Sequence, residues 1–268
     1  MNRSGLVITL AVAAATGLLF GLYPRLDLEI SAWFFDPVTG GFVAGRTTLS
    51  GWPRLGRALA MWTVTALAVP AGLALLMKLI RPSMRMLIPA RAAVLLMTTL
   101  LLAPGLLTNV ILKEHWGRPR PIEVREFAGR EAFVAWWDPR GGCLHNCSFV
   151  AGEGSGAFWT LAPAALAPPP VRPLAYAAAL GFGAATGVLR IAFGGHFFSD
   201  VVFSGVFTFL IIWVVHGLVY RWPRPAISDA ALETAIGRTS APIHVGLANA
   251  VAFLRALRRR ISRRPRGV

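Results

Sequence analysis

The 268 residues are 55% hydrophobic and only 15% charged, with a mean hydropathy of +0.59. Soluble domains carry about 25% charged residues, so a soluble class is excluded and a lipid-facing surface implied. The net charge of +15 does not point to nucleic acid, because much of it sits behind the last apolar run (Arg255, Arg258, Arg259, Arg260, Arg263, Arg264, Arg266), as cytoplasmic flanks of membrane segments do.

A membrane-crossing helix needs about 20 mostly apolar residues. Leu6 to Leu22 is the first such run. Arg3 before it also resembles the start of a signal peptide, but the run is long for one and no small-x-small site follows, so it reads as an uncleaved anchor. Further spans read at 57–80, 92–112, 149–168, 174–191 and 200–220. The expected fold is therefore all-α, a polytopic bundle of about six membrane helices over 1–220, with a basic cytoplasmic tail over 221–268. The run at 149–168 is the weakest, because Gly152, Glu153, Gly154 and Gly156 crowd its start. The cluster Pro168, Pro169, Pro170 and Pro173 reads as a tight turn between helices. Residues 242–262 read either as an amphipathic helix on the anionic inner leaflet or as a disordered basic tail.

Orientation follows from charge bias. The connection 81–91 (Arg81, Arg85, Arg91, with Lys78 before it), the turn with Arg172 and the C-terminal tail are basic and fall on one side, which is then cytoplasmic. Segments near 23–56, 113–148 and 191–199 fall on the opposite, extracytoplasmic side. The aromatic stretch Phe127, Phe133, Trp136 and Trp137 there would grip acyl chains or seat the protein at the interface. Cys143 and Cys147 lie on that side too. A disulfide is the default in an oxidising compartment, with free thiols or a metal site including His145 as the alternatives.

Three polar clusters interrupt this apolar pattern. The first, Lys113 to Pro121, offers Lys113 and Arg120 as phosphate donors or as snorkelling flanks. The second, around Gly152 and Glu153, offers backbone N–H groups for an anion, and a carboxyl that is either a proton donor or a capping acid. The third runs from Arg190 to His196 and Asp200; the last two, four apart, would form either a nucleophile with its orienting acid or a self-satisfied pair. All three clusters fall on the same face, and together they make a phosphoryl-transfer site that needs no metal or cofactor.

These residues resemble the type-2 phosphatidic acid phosphatase and vanadium haloperoxidase superfamily. Its signature is K-x6-R-P, then P-S-G-H, then S-R-x5-H-x3-D. Lys113, Arg120 and Pro121 match the first part. Arg190, His196 and Asp200 match the third, with Leu189 in place of Ser. The middle part reads Val150-Ala151-Gly152-Glu153, so only Gly152 survives. The resemblance implies that Lys113, Arg120 and Arg190 bind phosphate, that His196 attacks phosphorus, and that Asp200 orients it. Glu153 replaces the family's His as the expected proton donor, with His115 in reserve. The implied activity is hydrolysis of a lipid phosphate at the periplasmic face of a bacterial inner membrane, in the manner of lipid A phosphatases. Undecaprenyl pyrophosphate or phosphatidylglycerophosphate are the alternative substrates. A non-catalytic lipid binder or transporter on the same fold is the alternative of another class.

Overall fold

The computed structural model describes residues 2–45, 51–222 and 225–239, with isolated positions at 242, 246 and 253–255. The amphipathic-helix reading of 242–262 therefore lies almost wholly outside the described residues.

The described residues are all-α apart from one hairpin of two-residue strands, β1 (Phe35–Asp36) with β2 (Gly41–Phe42). Among the described residues, five helices are long and apolar enough to cross a membrane. They are α1 (Arg3–Leu22), α3 (Gly51–Ile80), α4 (Ala90–His115), α7 (Arg172–Ala192) and α8 (Phe198–Arg221). A short helix α2 (Arg25–Ala32) follows α1. Leu18, Leu73, Leu101, Val110 and Leu180 are exposed on these helices, as lipid-facing residues of a membrane bundle are.

The sixth expected span differs. Residues 149–168 do not form one helix but two short ones, α5 (Gly152–Phe158) and α6 (Leu161–Leu166). Neither is long enough to cross a bilayer of about 30 Å. Both are largely buried, and Trp159 at the junction, fully buried, donates its indole N–H to Thr99 on α4 at 2.9 Å. Around it pack Ala71, Ala93, Ala162 and Ile212, so the core of the bundle is built on this broken segment. Small residues let the helices approach closely, which is how membrane helices associate without a hydrophobic drive. The hydroxyl of Ser155 on α5 meets Thr108 on α4 (3.2 Å) and Thr208 on α8 (2.8 Å), tying three elements together.

Helix α4 changes to π-helical winding over Leu101–Leu112, where Pro104 removes a backbone donor and the Asn109 amide donates to the Pro104 carbonyl at 2.6 Å. At the opposite end of the bundle, Glu233 accepts from Lys78 Nζ (3.1 Å) and from the Met86 N–H (2.8 Å). Asp229 accepts from the Arg91 N–H at 2.9 Å. The helical residues 229–239 are thereby docked on the basic connection between α3 and α4.

Candidate active site

Helix ends at one pole of the bundle supply the site: the start of α3, the end of α4, the start of α5, the end of α7 and the start of α8. Lys113, Glu153, Arg190, His196 and Asp200, expected to converge from three clusters, do so here. Lys113 donates to Asn146 Oδ1 at 3.2 Å, and Arg120 donates through Nε (3.0 Å) and Nη2 (2.7 Å) to the Asn146 carbonyl. A Cβ built on Gly152 would lie 3.0 Å from Lys113 Nζ and 2.9 Å from Asn109 Oδ1. Glycine at 152 is what lets the ammonium approach the first turn of α5. Gly195 does the same for Arg190, whose guanidinium a Cβ there would overlap. The Arg190 Nε is buried without a hydrogen-bond partner. An orphaned buried donor is costly, and a phosphate oxygen is the acceptor that would satisfy it.

His196 is 1% exposed in the loop between α7 and α8. Its Nδ1 donates to the Ser148 carbonyl at 2.6 Å. A carbonyl only accepts, so this bond places the proton on Nδ1 and leaves the lone pair on Nε2. Burial pushes the imidazole well below its ordinary pKa, and the charges of Arg190, Lys113 and Arg120 push it the same way. A neutral ring with a free Nε2 is the nucleophilic form.

One expected contact is absent, and one expected proton donor has a partner. Asp200 is not hydrogen-bonded to His196: the nearest approach, Oδ2 to Nδ1, is 4.0 Å. Its oxygens are taken by Arg118, the Ser148 hydroxyl and the Phe197 N–H. Glu153 is not a solitary acid: it forms a two-pronged pair with Arg57 of α3, through Nε at 3.0 Å and through Nη2, and stands 3.7 Å from Arg190 Nη1. A carboxylate so paired acts as a hydrogen-bond acceptor. His115, the reserve donor, is exposed at the end of α4.

Arg57, Arg118, Asp27, Ser148 and Asn146 escaped the sequence reading. Arg118 stands two residues before Arg120, in the same Arg-Pro repeat, which is the one local signal that pointed to it. Of the aromatic stretch, Phe127 packs with Phe42 and Phe197, Phe133 lies edge-on to Phe197, and Trp136 packs on Phe203. Only Trp137, at 51% exposure, is free to meet lipid. Cys143 and Cys147 form a disulfide, which disposes of the metal alternative that used both thiols.

Residues 92–224 match the PAP2 superfamily. A lipid A 4'-phosphatase of Francisella tularensis subsp. novicida (strain U112) is 33% identical over 223 residues, 82% of this chain and 98% of the relative. The chain belongs to the PAP2 superfamily. Lipid A 4'-phosphatases of Rhizobium leguminosarum and Rhizobium etli are 43% and 42% identical over 104 and 102 residues, covering 45% and 40% of those proteins. No solved structure matches. The protein is a membrane lipid phosphatase of the PAP2 type, with an all-α polytopic architecture.

Proposed function

We propose that this phosphatase removes a phosphate monoester from lipid A at the periplasmic face of a bacterial inner membrane, through a phosphohistidine on His196. The lipid A substrate rests on the relatives' activity, above all the one matched along 98% of its length. What supports the sidedness is the basic connection 81–91 at the pole opposite the site, since short Lys/Arg-rich connections favour the cytoplasmic side. A disulfide beside the site fits an oxidising compartment.

The observation that carries the mechanism is the His196–Ser148 bond, which leaves Nε2 as the free lone pair among three cations. Lys113, Arg120 and Arg190 hold the phosphate, with the first-turn N–H groups of α5 beside Gly152, and neutralise charge on its oxygens. Nε2 attacks phosphorus, the alkoxide leaves and takes its proton from water, and the phosphohistidine remains. The Glu153 carboxylate, held by Arg57, then accepts the proton of the water that hydrolyses it. Asp200 acts as a positioning residue.

The test is phosphate release from lipid A by the detergent-purified chain in EDTA, with undecaprenyl pyrophosphate and phosphatidylglycerophosphate run in parallel. Release from lipid A that vanishes in His196→Ala supports the proposal. Preference for either parallel substrate overturns the lipid A assignment, and no release from any of them favours a non-catalytic binder.

A further inference from the structure

Beneath His196 lies a buried ion triple that the residues carried over from the family signature do not explain. Arg118 has a fully buried side chain, with Asp27 of α2 on one side (Nη2 to Oδ2, 2.8 Å) and Asp200 of α8 on the other, through Nη1. The two carboxylates are 1% and 0% exposed. The polar atoms around them are well provided for. Asp27 also accepts from the Ser199 N–H (2.9 Å) and the Ser199 hydroxyl. Arg118 Nε donates to the Val134 carbonyl at 3.2 Å, and its guanidinium lies 4.3 Å over the Phe197 ring.

Burying three charges is not a route to stability, since well-packed apolar residues of similar volume do as well or better. What the triple does provide is a fixed geometry, and that geometry leads to Ser148. The Ser148 N–H donates to the Arg118 carbonyl at 2.8 Å. Its hydroxyl donates to Asp200 Oδ2. Its carbonyl accepts from His196 Nδ1 at 2.6 Å. Ser148 is thus held at two points by the triple and at the third sets the tautomer of His196.

We infer that Asp27 and Arg118 are positioning residues for His196, acting through Asp200 and Ser148. Asp27 lies outside the region 92–224 that matches the family, so α2 is recruited to the site from beyond it. The inference rests on the reading of His196 as nucleophile. A nucleophile displaced by a fraction of an ångström loses rate while the phosphate-binding cations keep their places.

The experiment measures steady-state phosphate release from lipid A micelles by the full chain, as wild type, Asp27→Asn, Ser148→Ala, the double variant and His196→Ala. Asp27→Asn and Ser148→Ala are each expected to lower kcat by about tenfold to a hundredfold with KM held within about twofold. The double variant is expected to be little worse than either single one, because both break the same chain of contacts. Unchanged kcat in Asp27→Asn, a loss expressed in KM alone, or additive losses would each overturn the inference while leaving the His196 reading intact. Turnover persisting in His196→Ala would remove the nucleophile reading and this inference with it. If Asp27→Asn does not yield monodisperse protein, Ser199→Ala takes its place: it removes one hydroxyl from both Arg118 and Asp27 and leaves every charge. The same kcat loss at constant KM is expected, and unchanged kcat would again overturn the inference.

Discussion

Asp200 reaches His196 through another residue: the Ser148 carbonyl accepts from the ring Nδ1–H at 2.6 Å, while the Asp200 carboxylate stands 4.0 Å away and accepts from the Ser148 hydroxyl instead. The aspartate that the family spacing places four residues after His196 is here one of the charges of a buried ion triple. Asp200→Asn should therefore lose stability as well as rate. Removing one partner of a buried charge pair costs about 3 kcal/mol or more. Thermal unfolding in detergent should show a clear drop in midpoint for Asp200→Asn and little change for His196→Ala, which removes no ion pair. Equal midpoints would contradict the coupling.

The protonation state of His196 is directly measurable. An imidazole depressed by burial and by Arg190, Lys113 and Arg120 binds its second proton only well below the ordinary value of 6.5. Among five histidines, the nitrogen resonance that disappears in His196→Ala identifies it. It should report the Nδ1–H neutral tautomer and stay unshifted as the pH falls through 6.5. A midpoint near 6.5, or an Nε2–H tautomer, would count against the geometry. The linked stability effect has a definite sign. The unfolded state binds the proton first as pH falls below 6.5, so folding loses stability toward acid and gains none above it.

Glu153 and Arg57 should behave as one unit. Glu153→Gln and Arg57→Ala are each expected to slow turnover, about tenfold or more as judged by the usual worth of a positioned general base. The double variant should fall well short of the product of the two losses. If Glu153 acts as proposed, on the water that hydrolyses the phosphohistidine, Glu153→Gln should slow activated aryl phosphates at least as much as alkyl phosphates. A loss confined to poor leaving groups would restore Glu153 to the role of proton donor.

If Arg120 holds the phosphate as proposed, the disulfide is expected to bear on substrate binding. Cys143 and Cys147 bracket Asn146, which has φ 53° and whose carbonyl accepts both Arg120 bonds. The left-handed backbone at a non-glycine residue needs support from its surroundings. Replacing both cysteines by serine, or reducing the bond, should raise KM severalfold with kcat nearly kept. An unchanged KM would show that Asn146 holds its place unaided.

The long helices were readable because a membrane span is a local signal, about 20 apolar residues in a row. Lys113 with Arg120, and Arg190 with His196 and Asp200, were readable because each set lies within one short stretch of chain. The partners that give these residues their geometry are distant: Arg57 meets Glu153 across 96 positions, and Asp27 meets Arg118 across 91. No spacing rule reaches that far. The break at Trp159 was half visible, since the glycines at 152, 154 and 156 already weakened the span. That two short helices can remain there depends on protein burying them on most sides, which is a tertiary fact.

The most direct test of the central claim is the stereochemistry at phosphorus for a lipid monoester made chiral with sulfur and oxygen isotopes. Transfer through His196 followed by hydrolysis is two in-line displacements, and the account predicts net retention. Net inversion would mean a single attack by water on the substrate and would contradict the phosphohistidine outright.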